Sequence, residues 1–262
     1  MTSPTSPTRP TSPTSPTSPT FPADVLARLL ASDPGRPRLT WYDDEPGPTQ
    51  GERIELSAKV LANWVSKAAN LLQDDCAAGP GTTVGLDLPA HWRAVYWALA
   101  TWSVGATVVL GDEVGDADVL VTTDAAAAAA HGGDAILVSL PALARSHPEA
   151  AEAGGAVDEA RELSTHGDQF SPMSDPEAGD LALSREGDDT SFADLVTPQP
   201  TWGAQPRVAI DAELGDLLGA ALSAWAADGS LVAMRGSDHA DSDAIARRLE
   251  SESVTQDLRG AV

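Results

Sequence analysis

Apolar residues recur along this chain with two spacings. A spacing of three or four residues predicts amphipathic helices, whereas short continuous apolar runs bounded by glycine or proline predict buried strands. The predicted helices lie after Phe21, after Ser57, after Pro89, over 125–130 and over 212–227. The predicted strands cover 39–42, 52–56, 83–88, 106–110, 119–121, 136–138, 181–183, 207–211 and 230–234.

The segment 83–110 is the clearest α/β unit. A strand leads through Pro89 into a helix, and a second strand returns after Gly105. A helical connection of this kind normally places the two strands parallel, with a right-handed crossover. The helix face predicted to pack on the sheet carries Trp92, Val95, Tyr96, Leu99 and Trp102. Because Trp92, Trp97 and Trp102 are spaced by five residues, they cannot all share that face, and exposure of one of them stays open beside the favoured partial burial.

A related pattern recurs later in the chain. The runs 98–102 and 221–225 match in their small and apolar residues, and a glycine and an apolar strand soon follow each of them. This predicts an α/β fold of two related subdomains, with mainly parallel sheets flanked by helices. The predicted organisation is a disordered Thr-Ser-Pro repeat arm over 1–20, a first α/β subdomain over 21–140, an irregular connection over 141–179 and a second, partial α/β subdomain over 180–262.

The arm repeats a Thr-Ser-Pro triplet that Arg9 interrupts once. Proline fixes φ and removes a backbone donor, and none of these side chains can build a core. We therefore expect an extended, disordered segment. Two functional interpretations stay open beside this one, a proline-rich ligand and a stalk modified on its hydroxyl groups.

Charge and cysteine content narrow the classes of partner. Acidic residues outnumber basic ones by 39 to 16, for a formal net charge of −23. Such a surface repels the phosphates of nucleic acids and anionic lipids, so neither nucleic acid nor a membrane is an expected partner. Cys76 is the only cysteine, which excludes an intramolecular disulfide. No run approaches the ~20 apolar residues of a membrane span or has the form of a signal peptide, so we expect a cytoplasmic protein.

Candidate metal and catalytic groups are few. The acidic run 112–118 lacks the residue spacing of a calcium loop, and the five histidines lack a paired ligand spacing, so no metal site is predicted. Lys59 and Lys67 are the only lysines, and both fall in the helix predicted after Ser57. We interpret them as residues of its solvated face.

Five segments together resemble the N-terminal region of the adenylate-forming superfamily, the acyl-CoA synthetases and their relatives. They are GERIELSAKVLANWVSKAANLL from 51, GPGTTVGLDLPAHWRAVYWALATWSVGATVVL from 79, ADVLVTTD from 117, GDLLGAALSAWAADGSLVAM from 215 and SDAIARRLESESVT from 242. The resemblance covers most of residues 21–255. It implies the fold of that region and, as an activity, ATP-dependent activation of carboxylates.

That activity requires a loop that holds the ATP phosphates, and the family forms it from Ser, Thr and Gly residues that end in Pro-Lys-Gly. The resemblance places this loop after the strand 181–183, where Ser184, Gly187, Thr190 and Ser191 are its degenerate counterparts. One glycine remains, lysine is absent, and Glu186 and two aspartates stand among them. An acidic turn that leads into a helix at Ser191 is the favoured interpretation. The family's adenine motif, ribose-binding segment and C-terminal lid with its catalytic lysine have no counterpart in this sequence.

The sequence therefore predicts an AMP-binding-like, acyl-CoA-synthetase-like protein that is catalytically inactive and acts as a binding or regulatory module. The expected partner is an unidentified small molecule or protein, and no cofactor is predicted. One alternative is a residual or partner-dependent ligase that forms acyl-adenylates, for which ATP, AMP or CoA would be the cofactors. A second alternative is a protein-interaction subunit.

Overall fold

The structure, a computed structural model, describes residues 21–260. The predicted arm over 1–20 lies outside these residues, as do 261 and 262. The helices are α1 (Pro22–Ser32), α2 (Ala58–Asp74), α3 (Trp92–Ser103), α4 (Ala125–Ala130), α5 (Glu159–Glu162), α6 (Phe192–Leu195), α7 (Leu214–Ala226) and α8 (Ser242–Ser251). The strands are β1 (Pro37–Asp43), β2 (Arg53–Ser57), β3 (Thr83–Asp87), β4 (Thr107–Leu110), β5 (Val119–Thr122), β6 (Asp134–Leu137), β7 (Val157–Asp158), β8 (Leu181–Arg185), β9 (Asp188–Ser191), β10 (Arg207–Ile210), β11 (Ser230–Arg235) and β12 (Gln256–Asp257).

The strands form two sheets. One sheet has five strands in the order β12-β10-β11-β1-β2, and the other has seven in the order β7-β6-β5-β3-β4-β8-β9. Every neighbouring pair is parallel except β1 with β2 and β8 with β9. The predicted fold class, mainly parallel sheets flanked by helices, is confirmed.

Each sheet takes strands from both halves of the chain. The early strands β1 and β2 pair with the late strands β10 to β12, and β8 and β9 complete the sheet that begins with β3. The two sheets therefore do not coincide with the predicted segments 21–140 and 180–262. The irregular connection over 141–179 also contributes the short edge strand β7.

Helix α3 lies between the layers. Every residue from Trp92 to Trp102 is buried, and α3 contacts β3 and β4 on one side and α1, α2 and α7 on the other. The indole N–H of Trp102 donates to the backbone oxygen of Ala182 on β8 at 2.8 Å. The indole N–H of Trp225 on α7 makes the equivalent bond to the oxygen of Arg38 on β1 at 2.9 Å. These two bonds attach the central helices to both sheets.

Of the two readings left open for the tryptophans, burial is the one found: Trp92, Trp97 and Trp102 are all buried, because α3 has protein on every side rather than a solvated face. Two details of the helix predictions were wrong. The helix begins at Trp92 and not at Pro89, since the His91 side chain caps it by accepting the backbone N–H of Arg93. Val60 is 40% exposed, although it was placed on the buried face of α2.

Lys67 also differs from its prediction as a solvated residue. Its ammonium group donates to the backbone oxygen of His166 at 2.6 Å and pairs with the Asp168 carboxylate at 2.7 Å. It therefore ties α2 to the connection over 141–179, whereas Lys59 is exposed as expected. Among residues 21–260, no helix combines the length and apolar character needed to cross a bilayer.

The burial of α3 makes Leu99 a direct test of the packing. Leu99 is 2% exposed, so Leu99→Ala should lower the free energy of unfolding by about 2 to 5 kcal/mol through lost apolar contact and a residual cavity. Urea denaturation measures this change. Val60→Ala on α2 is the control and should cost much less. Equal, small effects of both substitutions would contradict the layered packing.

Candidate functional site

Charged residues collect where the parallel strands of both sheets end. Asp43 and Arg235 are the last residues of β1 and β11, Asp211 follows β10, and Arg185 is the last residue of β8. The carboxyl ends of parallel strands are the usual place for ligands in α/β folds. Here the ends of the two sheets face a common cleft, which is the candidate site.

The larger part of the cleft is a cavity of about 630 Å³. Its wall includes five carboxylates, which belong to Glu45, Asp211, Glu213, Asp216 and Asp238. Pro89 and Ala90, which follow β3, form the facing wall together with the segment from Arg235 to Gly236.

Among residues 21–260, Arg235 is the one basic side chain in this wall, and it is already paired. Its guanidinium lies 3.3 Å from the carboxylate of the fully buried Asp43, which also accepts the Thr49 hydroxyl at 2.5 Å. Gly236 follows with a φ of +69°, and a Cβ there would lie 2.8 Å from the backbone nitrogen of Glu45. A glycine is therefore needed for the chain to pass Glu45 and form this wall.

The smaller part is a cavity of about 310 Å³ between β3, β4 and the start of α7. Arg185 lies at its border and pairs with Asp216 of α7 at 2.8 Å, which raises the pKa of the guanidinium. The Arg185 side chain lies so close over Gly215 that a Cβ at this position would approach its Nη1 to 2.6 Å. Arg185 thus packs against the first turn of α7 and separates the two cavities.

The predicted degenerate phosphate-loop residues lie on a hairpin beside this cleft. Ser184 is in β8, Thr190 and Ser191 are in β9, and a two-residue turn joins the strands. The turn residues Glu186 and Gly187 have φ values of +53° and +85°, as a tight hairpin turn requires. Ser191 precedes α6, which agrees with the predicted helix start, but strand β9 was not predicted.

The hairpin pairing runs close to the turn. Arg185 pairs with Asp188 and Ser184 with Asp189, so the predicted loop is part of the sheet, where β9 forms the edge strand. Glu186, Asp188 and Asp189 are all exposed. Within 21–260, no group of three or more His, Cys, Asp or Glu side chains is arranged to hold a metal ion.

A buried polar cluster lies behind the cleft, at the start of α3. Burial, and then the charges of Arg93 and Arg235, hold the pKa of His91 well below its ordinary value, so the ring is neutral at pH 7. Its Nδ1 accepts the Arg93 N–H, so the proton of the neutral ring is on Nε2, which has no hydrogen-bond partner among the described residues. The ring packs edge-on to Trp41 at 4.2 Å.

Arg93 links helix α3 to both ends of the segment from Leu140 to Glu159. Its guanidinium donates to the backbone oxygens of Leu140 and Pro141 and pairs with the Glu159 carboxylate at 3.3 Å. The hydroxyl of Tyr96 donates to the same carboxylate. Burial raises the pKa of Glu159 to about 7, although Arg93 opposes that rise.

The sequence predictions missed the residues that form the cleft. Asp43, Asp211 and Arg235 are distant in the chain and carry no motif. A usable signal was nonetheless present, since each is a charged residue at the end of an apolar strand. The histidines were dismissed as scattered, and the capping role of His91 was not foreseen.

The chain is similar to known proteins in sequence and in fold. No protein-family model matches it. The TIGR03089 family protein of Mycobacterium tuberculosis (strain ATCC 25618 / H37Rv) is 36% identical over 251 residues, an alignment that covers 89% of this chain and 96% of that protein.

Three solved structures share the fold at lower identity. The acyl-CoA synthetase of Brucella canis matches with a TM-score of 0.67 and 15% identity, over 89% of this chain and 46% of the synthetase. The fatty acyl CoA synthetase of Mycobacterium tuberculosis matches with a TM-score of 0.61 and 11% identity, over 90% of this chain and 48% of the synthetase. The N-terminal subdomain of Klebsiella oxytoca NpsA matches with a TM-score of 0.59 and 19% identity, over 90% of this chain and 60% of the subdomain. The chain thus spans about half the length of these proteins, and the resemblance to the N-terminal domain of adenylate-forming enzymes is confirmed as a fold.

Glu159 predicts a specific pH dependence of stability. Because its pKa in the folded protein, about 7, exceeds the ordinary 4.5, its contribution is fully present below pH 4.5 and is lost as the pH rises through 7. Glu159→Gln should therefore reduce the loss of unfolding free energy between pH 5 and pH 8 by about 1 to 3 kcal/mol. Urea denaturation at both pH values measures this. The exposed Glu162→Gln on the same helix is the control, and an unchanged pH dependence in Glu159→Gln would refute the assignment.

Proposed function

Because this chain belongs to the TIGR03089 family and has the N-terminal fold of adenylate-forming enzymes, we propose that it is a binding or regulatory module that does not form acyl-adenylates. The cleft at the carboxyl ends of the strands is its binding site. Its ligand is a small molecule or protein segment that carries no triphosphate.

The β8–β9 hairpin carries this proposal. Adenylate formation needs backbone and cationic groups that surround the phosphates and stabilise developing negative charge. At the position implied by the resemblance, the turn has only Glu186 and Gly187, and the flanking residues are paired in the sheet. This arrangement supports a site that does not hold a triphosphate.

Electrostatic repulsion also opposes the binding of a triphosphate at this position. Two like unit charges 5 Å apart in water repel by about 0.8 kcal/mol, and the hairpin and the cleft wall present several carboxylates. The two arginines at the cleft, Arg185 and Arg235, are held by Asp216 and Asp43. A polyphosphate would have to displace these partners while facing the remaining carboxylates.

A partner-dependent ligase is the second candidate function, and the extent of the fold match favours it. About 90% of this chain aligns with half of a synthetase, and in this alternative a second protein supplies the lysine and the lid. ATP binding separates the candidates, since the ligase requires it and the inactive module does not.

Pyrophosphate exchange tests the proposal. Purified protein with magnesium, ATP and a broad panel of carboxylates, with and without CoA, should show exchange no faster than a boiled sample, because the turn is acidic and the adjacent Arg185 is already paired with Asp216. Exchange clearly above that control with any carboxylate would refute the inactive module.

The same assay can be made more sensitive with a charge-neutralised variant. Glu186→Gln, Asp188→Asn and Asp189→Asn together remove the carboxylates of the hairpin while leaving its two-residue turn. Asp112→Asn, Glu113→Gln and Asp116→Asn on the exposed 310 turn after β4 form the matched control. We expect no exchange in either variant, because the closed hairpin remains. Exchange in the first variant alone would show that charge, and not the closed turn, prevents the reaction.

A further inference from the structure

A shallow groove of about 400 Å³, lined largely by apolar and small residues, lies along α7. We call it the Trp202 groove. Its apolar walls come from Trp202, Leu195, Ile210 and Leu258, and Gly215, Gly219, Ala220 and Ser223 of α7 form a floor of small residues. Thr197 and Gln199 lie at its polar edge.

The groove has the character of a site for an extended, proline-rich segment. Such segments dock on aromatic-lined grooves, where their preformed conformation keeps the entropic cost of binding low. Trp202 is only partly buried, and its indole N–H has no acceptor among residues 21–260. Gly219 is exposed, and the space above it is open, so a backbone can approach α7 closely there.

The chain itself supplies a segment of this chemistry next to the groove. The Thr-Ser-Pro repeat over 2–19 ends just before Phe21, whose ring lies 5.6 Å from that of Phe192. Phe192 begins α6, and Leu195, one turn later, lines the groove. At ~3.1 Å per residue in an extended polyproline conformation, even a few triplets are long enough to cross it.

Charge favours the same occupant. The repeat contains Arg9 and no acidic residue, whereas the protein as a whole has a net charge of −23. Asp216 in the groove wall is already paired with Arg185, but Glu213, one turn before it on the rim of the neighbouring cavity, is exposed. We propose that the Thr-Ser-Pro arm docks in the Trp202 groove of its own chain.

Docking would place the arm beside the candidate site. Gly215 lines both the groove and the smaller cavity, and Asp216 lines both the groove and the larger one. This inference concerns the groove alone and does not depend on whether the cleft binds a nucleotide.

Paramagnetic relaxation in the full-length chain tests this proposal. A nitroxide is attached to Ser12→Cys in a Cys76→Ser background, and methyl signals of Leu195, Ile210 and Leu258 are followed. Docking predicts strong broadening at these three residues. Gly219→Gln should abolish the broadening, since it fills the groove while replacing a helical glycine by a better helix former. Gly132→Gln, at an exposed glycine with open space above it, is the matched control and should leave the broadening unchanged.

Two results would overturn the proposal. One is broadening that is insensitive to Gly219→Gln, as a tethered but undocked arm would give. The other is broadening that appears only when labelled and unlabelled chains are mixed, because the arm would then dock on a second copy. Circular dichroism of each variant confirms that the fold is retained.

Discussion

The burial of α3 on all sides is the constraint on which the rest of the structure depends. A helix with one apolar face packs on one sheet, but α3 is buried from Trp92 to Trp102 and must have protein all around it. The seven-stranded sheet covers one side, and α1, α2 and α7 cover the other. Since α2 and α7 also pack on the five-stranded sheet, α3 holds the two sheets in one layered body.

This packing also determines where the chemistry lies. With both sheets held against the same helices, the carboxyl ends of β3, β8, β10 and β11 open on one cleft. The charged residues at those ends then form ion pairs with one another. Asp43 with Arg235, and Asp216 with Arg185, show the result, an acidic cleft whose basic groups are already paired.

Much of the fold could be predicted from sequence because local pattern determines it. Ser57 caps α2 as predicted by accepting the N–H of Val60, and the strand-helix-strand unit over 83–110 pairs in parallel. The interleaving of the strands could not be predicted, since the pairing of β1 with β11 joins Leu39 to Leu231 across most of the chain. The full burial of all three tryptophans could not be derived for a related reason, because helical periodicity describes one face and α3 is buried on every face.

The site was harder to predict than the fold. The resemblance located Ser184, Gly187, Thr190 and Ser191, but the sequence alone did not show that the segment closes into a hairpin. The turn depends on left-handed φ values at Glu186 and Gly187, and only the glycine is a recognisable signal for them. Residues such as Asp211 and Glu213 carry no motif, and only the three-dimensional arrangement brings them to one cavity.

Calorimetric titration of magnesium ATP into the full-length protein tests the central claim most directly, because it needs no carboxylate substrate and no partner. A closed, acidic hairpin and paired arginines predict no saturable heat at millimolar nucleotide. A saturable 1:1 isotherm with a Kd below about 1 mM, equivalent to about 4 kcal/mol of binding free energy, would contradict it.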